Sequence, residues 1–166
     1  MKAISRYKDR SVKNTAPSDL ALTRRTAWLL SLAGYIPFVA LAGALWVWLP
    51  QSEHYVLAKT ALQTYGAIIL SFLGGVRWGL ALRSASNTSA RRDMIMSVVP
   101  SLIGWFSLYV GAPGVFAVQA LAFAGVGAWD ALSGEKGAFG LWFVRLRMVL
   151  TFLVTGALIA AFFATV

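Results

Sequence analysis

The sequence contains no cysteine, a single histidine and few charged residues. Without cysteine the chain has no disulfides, thiolate metal sites, iron–sulfur clusters or thiol nucleophiles. With His54 alone, a zinc site or haem held by two histidines of one chain is also excluded. Only 13% of the 166 residues are charged, against about a quarter in soluble domains. We therefore expect no bound cofactor or metal, and a chain that is not a soluble globule.

What the chain has in abundance is apolar sequence, with 58% hydrophobic residues and a mean hydropathy of +0.69. Five apolar segments follow a polar, basic N-terminal segment, residues 1–27, which we expect to be cytoplasmic and flexible. The two longest segments would be helices of about 33 Å, enough to cross a hydrocarbon core of about 30 Å. The sequence therefore predicts an all-α integral membrane protein whose membrane domain, residues 28–166, is a bundle of five transmembrane helices at residues 28–49, 61–82, 94–110, 115–132 and 146–166.

The positions of the basic residues predict the orientation of these helices. Thirteen of the fifteen lysines and arginines lie in the N-terminal segment or close to the ends of the loops after the second and fourth apolar segments. Lys59 stands alone on the opposite side, and Arg77 lies inside the second segment. Because a Lys/Arg bias of this kind faces the cytoplasm, we expect a cytoplasmic N-terminus and a C-terminus on the opposite side. Most of this charge then lies beside lipid headgroups, which argues against nucleic acid as a partner.

Tryptophan and tyrosine cluster near the predicted helix ends, as in the aromatic belts of membrane proteins. An aromatic ligand pocket is the alternative explanation. In the belt interpretation, the outer interface carries Trp46, Trp48 and Tyr55, and the inner one carries Trp28, Trp78, Trp129 and Trp142.

The second apolar segment contains YGAIILSFLGGVRWGLAL, which holds four glycines and one arginine. Residues four apart on a helix share one face, and small residues there let two helices approach closely in lipid. A ladder of this kind, which includes a GxxxG motif, predicts a crossing with another helix of the chain or, alternatively, with a second copy in a homodimer. Two further glycines, Gly66 and Gly74, lie off the ladder and would admit a different neighbour. The ladder consists of Ala67, Ser71, Gly75 and Gly79.

Proline and glycine interrupt other segments. Pro37 and Pro100 stand inside the first and third predicted helices, where each removes a backbone hydrogen bond and is expected to kink its helix. The third and fourth segments are joined by GAPG, residues 111–114. A Gly/Pro-rich connection this short predicts an antiparallel helical hairpin.

Arg77 is the charged residue in the least favourable position, inside an apolar segment. It lies about 7–8 Å from the end of that segment, so its long side chain can snorkel to the headgroups. Alternatively it faces the bundle and pairs with Asp130, the only carboxylate at the edge of an apolar segment on the same side. A third interpretation is that it holds an anionic ligand.

The inner half of the bundle is predicted to contain a polar cluster. An Arg–Asp pair there would neutralise itself and hold two helices in register. An excess of arginine over aspartate would instead suit a carboxylate, a phosphate or a lipid headgroup. The predicted members are Arg77, Asp130, Arg145 and Arg147, with Gln119 and Gln63 deeper in the membrane.

Several stretches resemble the domain of unknown function 3429 family of uncharacterised, transmembrane protein 69-like membrane proteins. They are YGAIILSFLGGVRWGLAL, LAGYIPFVALA, SVVPSLIGW and the run LRMVLT after Trp142, and the likeness covers most of residues 28–155. The resemblance implies a small multi-helix protein of bacterial inner membranes or mitochondria, and it implies no catalytic residues. Asp9 and Asp19 depart from the acid-poor pattern of transit peptides. We therefore expect a bacterial inner (plasma) membrane, or the mitochondrial inner membrane if the chain is eukaryotic.

Enzyme mechanisms that operate in membranes lack their residues in this chain. A serine protease of this kind needs an embedded base, yet His54 lies in the predicted outer loop, and an aspartyl type needs a second aspartate beside Asp130. We expect a non-enzymatic accessory or assembly factor, or a binder of an anionic lipid or small amphiphile. The alternative is a small-molecule sensor or transporter with a ligand cavity among the helices. Expected partners are membrane lipids and, further, a homodimer or another membrane protein.

Overall fold

The computed structural model describes residues 17–83, 88–134 and 141–166, and these residues are helical apart from short connections. The prediction of an all-α protein with five helices is confirmed for this part of the chain. Residues 1–16 of the predicted basic segment lie outside the described residues. The helices are α1 (Pro17–Val47), α2 (Glu53–Arg83), α3 (Thr88–Ser107), α4 (Gly114–Gly134) and α5 (Leu141–Ala164).

All five helices begin earlier than predicted, α3 at Thr88 and α4 by one residue at Gly114. Residues 17–27, expected to be flexible, are helical from Pro17 onwards. Charged residues end an apolar run without ending a helix, because Arg, Lys and Glu are good helix formers. Proline suits the first helical position, since its φ is preset and its missing N–H is not needed there. Likewise α2 begins at Glu53 and α5 at Leu141, ahead of the apolar segments predicted from residues 61 and 146.

Four of the five described helices, α1, α2, α4 and α5, are long and apolar enough to cross a membrane. The exception is α3, which has 20 residues and carries Arg91, Arg92 and Asp93 near its start. Its apolar part, from Met94 to Ser107, is about 21 Å long, shorter than a hydrocarbon core of about 30 Å. It ends before the predicted residue 110, because the next three residues form backbone hydrogen bonds three positions back and begin a turn. That α3 crosses the membrane stays a prediction.

The chain divides into two compact units, Met1–Ala33 and Gly34–Val166, with the boundary inside α1. In the first unit the described residues form a single helix, on which Leu22, Leu29 and Leu30 are exposed. The second unit contains the rest of α1 and helices α2 to α5, and the candidate site lies within it.

The second unit is built around side chains that are almost completely inaccessible. The ring of Phe38 meets that of Phe123 edge-on, with the centroids 5.7 Å apart. Helix α2 packs along α3, and α4 packs along α5. Helix α4 also contacts α2 and α3, so it touches each of the other three helices α2, α3 and α5. Among the described apolar side chains that are less than 2% exposed, the largest are Phe38, Phe116, Leu62, Leu70 and Leu158.

The predicted hairpin is present, since α3 and α4 are neighbours joined by residues 108–113. Pro37 and Pro100 each lie inside a helix that continues beyond them. The kinks predicted at these prolines stay predictions.

Two hydrogen bonds define one end of the second unit. The hydroxyl of Tyr55 donates to the carbonyl of Ala164 at 3.0 Å, and the indole of Trp46 donates to the carbonyl of Ala160 at 3.2 Å. These bonds bring the last turn of α1, the first of α2 and the last of α5 together, which we call the Tyr55 end. The opposite end, where α2 and α4 finish and α5 begins, is the Arg77 end. Which end faces the cytoplasm stays a prediction.

Tyr55 itself differs from its prediction as an interface residue. Only 5% of it is exposed, because its ring packs among the helices while its hydroxyl reaches the end of α5. A tyrosine at a helix end can lie in an aromatic belt, or it can be buried with its hydroxyl hydrogen-bonded to a partner. The sequence alone does not distinguish these two positions.

Candidate functional site

At the Arg77 end, one aspartate is held between two arginines from different helices. Nε of Arg77 on α2 donates to Oδ1 of Asp130 on α4 at 2.9 Å, and its Nη2 lies 2.8 Å from the same oxygen. Nε of Arg147 on α5 donates to the other oxygen, Oδ2, at 2.6 Å. We call these three residues the arginine–aspartate triad. It fastens α2, α4 and α5 to one another.

The triad is largely removed from solvent, with side-chain exposures of 12% for Arg77 and 14% for Asp130 and for Arg147. Two guanidinium groups meet one carboxylate, so the three side chains of the triad carry a formal net charge of +1. Removing one partner of a buried ion pair typically costs about 3–5 kcal/mol, because a charge is then left unpaired. The triad therefore holds the helices together and also leaves a local excess of positive charge.

Trp129 covers the guanidinium of Arg77. The Cζ atom of Arg77 lies 3.6 Å from the centroid of the Trp129 ring, which is cation–π geometry. Since Trp129 and Asp130 are consecutive, the same turn of α4 contacts Arg77 through both a ring face and a carboxylate. This double contact explains the position of Trp129 without an aromatic ligand.

Arg145, the other predicted member of the cluster, is exposed on α5. Residues two apart on a helix lie about 200° apart, so Arg145 and Arg147 cannot both face the bundle. The prediction that both join the cluster was therefore wrong for Arg145. Around the triad, Arg91, Arg92 and Asp93 on α3 are likewise exposed, and Asp93 attracts Arg77 electrostatically.

The predicted deeper residue Gln119 forms a separate network, about 16 Å along α4 from Asp130. Its side chain is completely buried, and Nε2 donates to the backbone carbonyl of Gln63 at 2.8 Å and to Oγ of Ser107 at 3.0 Å. The hydroxyl of Ser107 in turn donates to the carbonyl of Gly104 at 2.7 Å. This Gln119 network joins α2, α3 and α4. Gln63 belongs to this network through its backbone carbonyl, and not through the side chain on which the prediction was based.

Ser107 was missed by the sequence analysis. The available signal was a serine within the apolar run of the third segment, close to the GAPG turn. Such a serine often bonds to its own helix, and Ser107 does so while also accepting from Gln119.

The predicted small-residue ladder does not lie on the packing face of α2. A Cβ added at Gly75 or Gly79 meets nothing within 4 Å, and Ser71 is exposed, with its hydroxyl bonded back to the carbonyl of Ala67. Of the four predicted residues, Ala67 is buried, and its backbone lies against Gly104 of α3.

The close approaches of α2 to α3 and α4 instead use a face one residue away, which holds the two glycines predicted to lie off the ladder. A Cβ at Gly74 would lie 2.4 Å from the carbonyl oxygen of Ser97 on α3, and a Cβ at Gly66 would lie 2.1 Å from Oε1 of Gln119 on α4. Leu70, midway between these glycines, is completely buried. The prediction of a crossing within the chain at Gly75 and Gly79 was wrong, because sequence spacing does not tell which side of a helix meets a neighbour. Its alternative, a contact of the ladder with a second copy, stays a prediction.

Several open cavities lie along α3 in the described part of the chain, and two of them carry features of a binding site. The first, which we call the α2–α3 notch, has a volume of about 830 Å³ and is lined by Trp78 of α2 and by Arg91, Met94, Ile95, Val98 and Leu102 of α3. The second, the α3–α4 groove, has a volume of about 410 Å³ and an apolar lining that includes Met96, Pro100, Leu121 and Trp129. Cavities of this size are in the range that binds small molecules.

A bundle of apolar helices, tied by an ion-pair cluster near one end, defines a multi-pass membrane protein. Four of its described helices have membrane-spanning length. The chain belongs to the family described as "Protein of unknown function (DUF3429)", whose model matches residues 23–163. The family resemblance noted in the sequence is thus confirmed.

Two relatives have the name Transmembrane protein 69. The chain is 34% identical over 143 residues to the Xenopus tropicalis protein, covering 82% of this chain and 53% of that protein. It is 35% identical over 133 residues to the Mus musculus protein, covering 76% of this chain and 51% of that protein. The chain therefore spans about half the length of the curated relatives it matches. No solved structure matches it.

Proposed function

We propose that the protein is a non-enzymatic accessory protein of a bacterial inner membrane, or of the mitochondrial inner membrane in a eukaryote, that binds an anionic lipid or amphiphile at its Arg77 end. The observation that carries this proposal is the arginine–aspartate triad, in which two guanidinium groups share one carboxylate. The triad carries a formal net positive charge, close to the end of the membrane-spanning part of α2, where lipid headgroups begin.

The surrounding charges add to this excess. Among side chains described at the Arg77 end of the second unit, five are basic and two are acidic. Each basic residue near a membrane surface contributes about 1 kcal/mol of attraction to anionic lipids. An anionic headgroup is therefore the ligand that this end favours. The basic residues are Arg77, Arg91, Arg92, Arg145 and Arg147, and the acidic ones are Asp93 and Asp130.

The non-enzymatic part of the proposal is supported by how the possible catalytic groups are placed. Both carboxylate oxygens of Asp130 accept hydrogen bonds from arginines, so this carboxylate is used to join α2, α4 and α5. His54 packs beside Trp48, with ring centroids 5.3 Å apart, at the Tyr55 end. His54 is about 34 Å along α2 from Arg77, so the two cannot act at one centre.

Native mass spectrometry of the full chain, in mild detergent or lipid discs, tests the proposal. We expect the protein to retain phosphatidylglycerol in preference to phosphatidylcholine. Arg145→Gln should reduce this preference, whereas Lys59→Gln, which removes the same charge near the Tyr55 end, should leave it unchanged. Equal retention of the two lipids would contradict the proposal. The same spectra report whether the protein is a monomer, a homodimer or bound to another membrane protein.

The α3–α4 groove favours a second candidate function, a sensor or transporter of a neutral apolar molecule. Its lining is almost entirely apolar and includes the ring of Trp129. A retained neutral small molecule that Leu121→Trp displaces would support this function in place of lipid binding.

A further inference from the structure

We propose that the α2–α3 notch is a binding site for a single anionic phospholipid, with its phosphate on Arg91 and one acyl chain along α3. This inference rests on the proposed function and names the site and the ligand class. It concerns a position outside the arginine–aspartate triad, on the face of α3 that meets Trp78.

The dimensions of the notch match one leaflet of a bilayer. Its lining runs along α3 from Arg91 at the charged start of the helix to Leu102. Eleven residues of helix correspond to about 16 Å, roughly half of a hydrocarbon core of about 30 Å. The lining therefore begins with a cation at headgroup level and becomes apolar down to the middle of the membrane. A phospholipid, whose anionic head lies at the interface and whose acyl chains extend to the middle of the bilayer, has the same arrangement.

Arg91 is suited to the phosphate because no described residue engages its guanidinium. The residue is exposed, and within the described part of the chain its side chain forms no ion pair or hydrogen bond. The nearest acid along the helix, Asp93, lies about 200° round α3 from Arg91 and does not line the notch. A guanidinium can bind two phosphate oxygens at once, which a lysine cannot do in the same way.

The opposite wall supplies an interfacial aromatic. Trp78 of α2 is 42% exposed and lines the notch across from the α3 side chains. Tryptophan is enriched at the membrane–water interface, where its ring sits at the level of headgroups. Trp78 and Arg91 together therefore bracket the place where the polar head of a lipid would lie.

The apolar part of the notch opens towards lipid. Ile95, Val98 and Leu102 are exposed large hydrophobic residues that line it. The α3–α4 groove on the other side of α3 has no charged residue in its lining. Charge complementarity therefore favours an anionic lipid in the notch and gives no such preference in the α3–α4 groove.

The test is a lipid titration followed by native mass spectrometry, using the full chain and phosphatidylglycerol or phosphatidylcholine as the probe. Arg91→Gln is compared with Arg92→Gln, a neighbour that carries the same charge but does not line the notch. Loss of a charge-assisted hydrogen bond should weaken the first phosphatidylglycerol bound to the Arg91→Gln protein by about tenfold. The Arg92→Gln protein should lose less, at most about fivefold, which is the roughly 1 kcal/mol expected for a diffuse surface charge.

A second pair of variants tests the acyl-chain part of the site. Val98→Phe narrows the apolar section of the notch, and Val76→Phe adds the same ring at an exposed position of α2 outside it. We expect only Val98→Phe to reduce phosphatidylglycerol binding, with the helical circular dichroism spectrum unchanged in both.

The outcomes separate the two proposals. If phosphatidylglycerol is preferred but Arg91→Gln and Arg92→Gln weaken it equally, the notch is not the site and the proposed function still stands. The notch is likewise not the site if Val98→Phe leaves phosphatidylglycerol binding unchanged. If the unchanged chain does not prefer phosphatidylglycerol to phosphatidylcholine, the proposed function itself fails. A selective loss in both Arg91→Gln and Val98→Phe would establish the site.

Discussion

Gly66 of α2 and Gln119 of α4 occupy adjoining space so closely that a Cβ at residue 66 would lie 2.1 Å from Oε1 of Gln119. The amide of Gln119 can donate to Gln63 and Ser107 only because residue 66 has no side chain. The oxygen Oε1 is buried without a hydrogen-bond partner among the described residues, and it faces the backbone of Gly66. The glycine thus makes room for the one completely buried amide in the described part of the second unit.

Gly66→Ala should therefore destabilise the protein. The added methyl must displace Gln119, which is overpacking of a kind that typically costs about 1–3 kcal/mol, and it weakens the two hydrogen bonds of Nε2. Gly75→Ala is the matched control on the same helix, since its Cβ meets nothing within 4 Å. Thermal unfolding in detergent, followed by tryptophan fluorescence, measures both. An equal melting temperature for the two variants would contradict the packing assigned to Gly66.

Asp130→Asn should be more damaging than the loss of either arginine. It removes the carboxylate that Arg77 and Arg147 share, and we expect a loss of about 3 kcal/mol, the lower part of the range for buried pairs because the triad is partly exposed. Adding Arg77→Leu to Asp130→Asn removes one of the two positive charges that have lost this carboxylate and should restore part of the lost stability. Unfolding in a graded denaturing detergent measures the series. A double variant no more stable than Asp130→Asn would contradict the charge argument.

Arg77→Lys tests whether geometry matters beyond charge. Lysine keeps the charge but has neither the planar group that lies on Trp129 nor the Nε donor that meets Oδ1. We expect destabilisation of about 1–2 kcal/mol from the lost stacking and hydrogen bond. Arg145→Lys on the exposed face of α5 is the control and should be neutral. If Arg77→Lys were also neutral, Arg77 would need only its charge, as in the snorkelling interpretation.

The contact between α4 and α5 offers another matched pair of glycines. A Cβ at Gly127 would lie 2.3 Å from Oγ1 of Thr151, whereas a Cβ at Gly125 meets nothing within 4 Å. Gly127→Ala should lower the melting temperature and Gly125→Ala should not. Thr151→Ala removes Oγ1 and Cγ2, the two nearest atoms, so it should partly restore the Gly127→Ala protein. Failure of Thr151→Ala to restore any stability would place the strain elsewhere.

The orientation of the helices can be measured because the chain contains no cysteine. Single cysteines introduced by Arg92→Cys and Gln51→Cys would each be the only thiol, at opposite ends of the second unit. From the distribution of lysine and arginine, a membrane-impermeant thiol reagent should label Arg92→Cys only from the cytoplasmic side and Gln51→Cys only from the other. The reverse pattern would overturn the predicted orientation.

The sequence was sufficient for the parts of the structure that depend on periodicity and depth. Apolar runs located the helices, and the alternation of loops placed Arg77 and Asp130 at a similar depth although 53 positions separate them. What the sequence does not contain is the direction in which each helix face points. This is why a crossing within the chain was expected at Gly75 and Gly79, which face away from the other helices of the chain, and why Arg145 was grouped with Arg147.

The order of synthesis determines when the members of the triad can meet. Arg77 leaves the ribosome 53 residues before Asp130. At roughly 5–20 residues per second, this delay lasts about 3–10 s. During that interval α2 sits in the membrane with an arginine whose aspartate has not been made, and its long side chain can reach the headgroups. Asp130 is then synthesised as part of α4, and Arg147, 17 residues later, completes the triad by binding its second oxygen. The last helix is therefore also the one that completes the assembly of α2 and α4, and a chain that stops before α5 would leave one carboxylate oxygen of Asp130 without its arginine.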